Sequence, residues 1–219
     1  MTLPVKLAVF DLDGTLIDSL PDLADCGRVF LAEAGLGTVS DAQVRAMIGD
    51  GVRVLVRRLL THAGQNPDDA TLDTATARYM ALYTPRASRL SRPFPGIIEV
   101  LETFRHSGIA MAVCTNKPAL PAQDILRACH IEKYFSAICG GDTFPVRKPD
   151  PNHVLGTIAE AKGQPDTSVM IGDSINDVTA ARKAGIPSVF VTWGYGNADA
   201  ASGADRIISD PHELIALAG

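Results

Sequence analysis

Short apolar runs along this chain break off abruptly at polar residues. Leu7-Ala-Val-Phe10 stops at Asp11, and Ile109–Cys114 stops at Thr115-Asn116. Ala137-Ile-Cys139 stops at Gly140-Gly-Asp142, Val169-Met-Ile171 at Gly172-Asp173, and Ser188-Val-Phe-Val191 at Thr192. Runs this short, without polar alternation, predict strands buried on both faces. Ile207-Ile208 predicts a minimal sixth. Helical spacing lies between them, over Pro95–His106, Pro118–Cys129, Asn152–Ala161 and Ser174–Ala184, the last stopping at Gly185 and Pro187. Strands alternating with helices predict βαβ units, hence an α/β fold with a mostly parallel sheet.

One interval breaks this rhythm. From Ile17 to about Ala87 the pattern is helical and predicts no strand. Ser19 and Pro21 open a helix whose apolar face includes Leu23, Phe30 and Leu31, and Gly35 ends it. Ser40-Asp-Ala-Gln43 has the form of a capping box. After Gly49-Asp50-Gly51, the residues Val52, Leu55, Val56, Leu59 and Leu60 form an amphipathic stripe, and a further helix is predicted over about Asp68 to Tyr83. The expected organisation is a core of residues 1–16 and 88–219 interrupted by a helical insert of residues 17–87.

Composition narrows the class. Hydrophobic residues make up 46% and charged residues 21%, which excludes a disordered or collagen-like chain. Lys and Arg number 20 against 25 Asp and Glu, and the net charge of −5 argues against a nucleic-acid partner. The longest run without a polar side chain, Gly108 to Cys114, is far short of the roughly 20 residues that cross a bilayer. Met1–Leu7 lacks the pattern of a secretory signal. Cys26, Cys114, Cys129 and Cys139 form no Cys-x-x-Cys pair, so they read as free thiols in a reducing cytoplasm. A monomer or a homodimer is expected.

Ligands of open parallel sheets sit beyond the carboxyl ends of the strands. The polar residues predicted there are Asp11, Asp13, Thr115, Asn116, Asp173 and Asp177, with Lys148 in the loop after the third strand. Each alone is ordinary: a turn former, a strand-to-helix junction, a helix cap. Several carboxylates in one pocket repel one another unless a cation intervenes, and hard oxygen ligands suit Mg²⁺. A carboxylate such as Asp11 can act as a nucleophile toward phosphorus. Lys148 and Mg²⁺ would neutralise an incoming phosphate, the Thr115 hydroxyl would hold its oxygens, and Asp13 is placed to shuttle a proton.

These residues in this order resemble the four motifs of the haloacid dehalogenase superfamily of phosphatases: Asp11-Leu-Asp13-Gly-Thr15, Thr115-Asn116, Lys148-Pro149 and Gly172-Asp173-Ser-Ile-Asn-Asp177. The resemblance implies a Rossmann-like core with a helical cap after the first strand. It implies Asp11 as nucleophile and Mg²⁺ ligand, and Asp13 as acid/base and ligand through its backbone carbonyl. Thr115 and Lys148 would bind the phosphoryl group, Asp173 would complete the metal site, and Asp177 would be a ligand or a partner of the ligands. Within the superfamily, Pro93-Phe-Pro-Gly96, Cys114-Thr-Asn-Lys-Pro118 and Trp193-Gly-Tyr-Gly196 look like bacterial phosphoglycolate phosphatases. The substrate implied is a small phosphate ester, 2-phosphoglycolate first. Asn116 is expected among the substrate-binding residues, with Gly49 and Gly51 offering backbone N–H groups to a carboxylate, assisted by Arg53 or Arg45. Other small organic or sugar phosphates, a phosphosugar mutase, a dehalogenase and a non-catalytic binding module are the alternatives. The acid at position 13 argues against a dehalogenase, and the full set of charged motif residues argues against a binding module.

Overall fold

The computed structural model describes residues 5–218; Met1–Pro4 and Gly219, the outermost residues of the expected core and of the leader reading, lie outside them. The chain runs β1 (Leu7–Phe10), β2 (Ile17–Asp18), α1 (Leu20–Glu33), α2 (Asp41–Arg45), α3 (Val52–His62), α4 (Asp69–Tyr83) and β3 (Arg92–Pro93). It continues through α5 (Ile97–His106), β4 (Ala110–Cys114), α6 (Ala119–Ala128), β5 (Ala137–Cys139), α7 (Pro151–Glu160), β6 (Ser168–Gly172), α8 (Ile175–Ala184), β7 (Ser188–Val191) and β8 (Arg206–Ile208). The main sheet has the order β5-β4-β1-β6-β7-β8, with every pairing parallel. The chain builds outward from β1 on one side and from β6 on the other, so the strand order reverses between β1 and β6, where a crevice for ligands opens.

Both faces of the sheet are covered. Ala8, Phe10, Met111 and Val113 pack with α5 and α6, while Leu7, Val9, Ala112 and Met170 pack with α7 and α8. Burial on both sides explains why the strands carry no polar alternation.

The strand-free reading of the 17–87 interval needs one correction. Ile17 and Asp18 pair antiparallel with Pro93 and Arg92 in a ladder of two residues per strand. Two residues carry no periodicity, so no sequence pattern marks them. The ladder joins the chain where it leaves the sheet for α1–α4 to where it returns. Asp22 reinforces that closure: its buried carboxylate accepts from the Leu90 and Ser91 N–H groups and from the Ser91 hydroxyl at 2.7–3.0 Å. The Ser40 capping box is present, the Ser40 hydroxyl accepting from the Gln43 N–H and the Gln43 side chain accepting from the Ser40 N–H.

Candidate active site

Asp11 follows β1 directly, and its N–H still donates to the Ile171 carbonyl of β6 at 2.9 Å. Its Oδ1 accepts from the Leu12 N–H at 2.7 Å and lies 2.9 Å from Lys148 Nζ. Oδ2 receives no hydrogen bond from the described residues. Lys148 Nζ also donates to Asp177 Oδ1 at 2.6 Å and to the Cys114 carbonyl at 2.5 Å, with its side chain 1% exposed. Asp11, Asp173 and Asp177 offer carboxylate oxygens within 4.8 Å of one another.

This crowding sets the protonation chemistry. Burial drives the Asp11 carboxyl up to about 6 against the pull of Lys148. Burial, then the charges of Asp11 and Asp177, drive Asp173 up to about 7 despite N–H donors from Tyr195 and Gly196. Burial works against the Lys148 charge, but Asp11 and Asp177 outweigh it and hold the ammonium above its ordinary value.

The tightness of the cluster depends on residues without side chains. A Cβ on Gly172 would fall on the Asp177 carboxylate, and one on Gly14 would fall on Asp173 Oδ2. Gly14 also has φ +87°, a left-handed conformation that favours glycine.

Asp177 performs two jobs at once. Its Oδ2 accepts from the Ser174 N–H and hydroxyl at 3.0 and 2.6 Å, closing a capping box on α8, while its Oδ1 holds Lys148. Both of its oxygens are therefore engaged. Asp173 Oδ2 takes the Tyr195 N–H at 2.6 Å, and its Oδ1 takes the Thr15 hydroxyl at 3.2 Å.

Other predicted residues fall as follows. Thr115 is buried beside Asp11 and Asp13 in a pocket that Gly49, Gly51 and Asn116 also line. The Asn116 amide spends both donors on backbone carbonyls, those of Gly49 at 3.0 Å and Lys148 at 2.9 Å, so it fastens the 49–51 loop to the core. Its Oδ1 is buried without a partner among the described residues. Arg53 is the correction among the site residues. Its guanidinium pairs with Asp69 at 2.8 Å and Asp73 at 2.7 Å on α4, and it lines neither cavity at the carboxylates. Arg53 sits two positions before Leu55, a buried residue of α3, so the helical turn directs it away from that face, where Asp69 and Asp73 take it. Arg45 instead reaches a second cleft of about 440 Å³, where it bonds the Gly194 carbonyl and stacks over Tyr195.

Three contributors escaped the sequence reading. Lys117 Nζ binds both carboxylate oxygens of Asp13 at 2.9 and 3.0 Å. His153, on α7, accepts from the Lys148 N–H at 3.2 Å, and its other ring nitrogen meets the Gly140 carbonyl at 3.1 Å. Burial, helped by Lys148, pushes His153 down to about 4, so its neutral ring fixes the backbone of the lysine. Tyr195 caps the start of α1, where the Ser19 side chain makes no capping hydrogen bond. Its hydroxyl accepts from the N–H groups of Ser19 and Leu20 at 2.7 and 2.9 Å and donates to Asp18 at 2.8 Å. The Ser19 hydroxyl turns to Asp13 at 2.6 Å. The Lys in Thr115-Asn116-Lys117-Pro118 was the one visible signal among these, because a Lys beside a strand end joins whatever anions gather there.

A model of the haloacid dehalogenase-like hydrolases matches residues 8–191. The chain belongs to the haloacid dehalogenase-like hydrolase family. Its relatives within that family are consistent. A phosphoglycolate phosphatase of Agrobacterium fabrum is 43% identical over 189 residues, 86% of this chain and 81% of the relative. One from Caulobacter vibrioides is 39% identical over 186 residues, 85% and 78% of the two chains. The crystal structure of a predicted phosphoglycolate phosphatase from Haemophilus somnus superposes with a TM-score of 0.91 at 32% identity, covering 100% of both chains. The hydrolase is a phosphatase. No helix among its described residues is long and apolar enough to cross a membrane.

Proposed function

We propose that this phosphatase hydrolyses 2-phosphoglycolate through an aspartyl-phosphate on Asp11, with Mg²⁺ as cofactor. The observation that carries the reading is the asymmetry of Asp11. One oxygen is pinned by Lys148 and the Leu12 N–H, the other has no donor among the described residues, and the side chain stands in the pocket wall. A carboxylate held this way presents one defined lone pair to phosphorus. Thr115 takes phosphoryl oxygens, and the buried Lys148 ammonium, held by Asp11, Asp177 and the Cys114 carbonyl, opposes the charge building on them without reorganising. Asp13 protonates the leaving alkoxide and afterwards takes a proton from the attacking water.

The donor set fits Mg²⁺: hard oxygens, deeply buried, with two carboxyls pushed upward by crowding that a dication relieves. Asp11, Asp173 and the Asp13 carbonyl would hold it, while Asp177 holds Lys148. When bound it supplies charge neutralisation to phosphate. The residues 17–87 read as a cap domain over the core of 1–16 and 88–219; Gly49 and Gly51 bring its loop to the pocket wall, closing it to water. The family relatives named for phosphoglycolate support the substrate.

The test is a side-by-side screen of phosphoglycolate, phospholactate and hexose phosphates with the wild type and Asp11→Asn. Phosphoglycolate is expected to give the highest kcat/KM, and Asp11→Asn is expected to abolish turnover while keeping the wild-type circular dichroism spectrum. Retained turnover in that variant would refute the covalent route, and preference for a hexose phosphate would refute the substrate.

A further inference from the structure

Lys117 is the buried charge that the chemistry above does not use. Its side chain is 4% exposed, and its Nζ sits 4.9 Å from the centroid of the Tyr83 ring. It is the sole cation among the described residues lining the pocket that reaches Asp11, Asp13 and Thr115. The rest of that wall, with Leu23, Ile48, Val52, Leu55 and Tyr79, is largely apolar. Arg147, whose guanidinium lies against Gly51, does not line this pocket, and the other cations near the site are committed elsewhere. Lys148 is on Asp11 and Asp177, Arg58 on Asp50 at 2.5 Å, Arg53 on α4, and Arg45 on the Gly194 carbonyl. An ammonium has three donors, and among the described residues Lys117 bonds only the two oxygens of Asp13. Tyr83, in the same wall, has a buried hydroxyl without a hydrogen-bond partner.

Position supplies the rest. If Asp13 serves the leaving-group oxygen, as the reading above has it, a lysine held on Asp13 stands beside the first atoms of the leaving group. In phosphoglycolate the carboxylate carbon is two bonds from that oxygen. A sugar placed there would bury several hydroxyls against an apolar wall that offers them few partners, at a desolvation cost. We propose that Lys117 is a substrate-binding residue that selects phosphate monoesters bearing a carboxylate next to the ester carbon, by pairing its free N–H with that carboxylate.

The inference rests on the phosphatase reading, and the experiment separates the two. kcat/KM is measured for phosphoglycolate and for 2-hydroxyethyl phosphate, an ester of similar length with a neutral end. The wild type is expected to favour phosphoglycolate by roughly 10- to 100-fold, the range of a charge-assisted hydrogen bond. Asp13 loses a partner in Lys117→Met, so both esters slow, and the readout is their ratio. That ratio is expected to fall to near 1 in Lys117→Met and to survive in Lys117→Arg. If Lys117→Met turns over too slowly, the same ratio is read from dissociation constants in the Asp11→Asn background. A variant that weakens both esters equally and keeps the wild-type preference overturns the inference and leaves the function standing. A wild type without the preference overturns both.

Discussion

Replacing Lys148 by Met would strip the carboxylate cluster of its resident cation while nearly preserving side-chain length. The lysine is fully enclosed, 2.6 Å from Asp177 and 2.9 Å from Asp11, and it also satisfies the Cys114 carbonyl. Removing one member of a buried ion pair costs about 3–5 kcal/mol because the survivor stays buried without a partner. For a chain of 219 residues each kcal/mol moves the midpoint by about 2–4 °C, so Tm should drop by roughly 6–20 °C. The size should depend on pH. Asp11 already sits at about 6, raised by burial against the attraction of Lys148, and without the lysine it moves further up. A carboxyl raised in the folded state keeps a proton that the unfolded chain has released. Its unfavourable contribution is therefore absent below about pH 4 and grows as pH rises through the folded value. The deficit should be smaller at pH 5 than at pH 8, measured by circular dichroism melts in EDTA. A variant as stable as the wild type at pH 8, or a deficit equal at both pH values, would refute the reasoning.

EDTA should abolish turnover and Mg²⁺ restore it; because Asp11 and Asp173, at about 6 and about 7, must release protons to take a cation, the Mg²⁺-induced rise in Tm should be larger at pH 8 than at pH 5.5. Gly172→Ala drives a methyl group into the Asp177 carboxylate and should cost roughly 1–3 kcal/mol in urea unfolding together with at least tenfold in kcat. Tyr195→Phe removes the acceptor shared by the Ser19 and Leu20 N–H groups; a stability loss of about 1–2 kcal/mol is expected, and an unchanged melting curve would show that water replaces the hydroxyl.

The sheet was legible because its strands are buried on both sides. Leu7–Phe10, Ala137–Cys139 and Ser188–Val191 stand in the structure at the bounds their apolar runs predict. Asp11 and Asp173 were legible because two of the runs break off at them, and parallel pairing brings those ends to a single edge. Partnerships across the chain were not legible. Tyr195 lies 176 residues from Ser19, and nothing local to either marks the contact. Arg53 went astray for the opposite reason. It stands next to a predicted loop, but the acids that capture it, Asp69 and Asp73, lie on another helix whose packing no local pattern reveals. Lys117 was overlooked since a strand-to-helix turn explains its position without assigning its charge. Asp177 shows two explanations holding together, the helix cap and the lysine partner each using a different oxygen.

Tyr195 also works as a mechanical strut. Its backbone N–H grips Asp173 at 2.6 Å, while its hydroxyl, at the far end of a rigid ring, grips the start of α1. A ring does not stretch. Any tilt of α1 that keeps the hydroxyl bonded must push or pull on the carboxylate beneath it, and any displacement of Asp173 must travel back to the helix. The start of α1 and the carboxylate cluster thus share one rigid connection, so a substitution that shifts α1 is also felt as a change in the tension on Asp173.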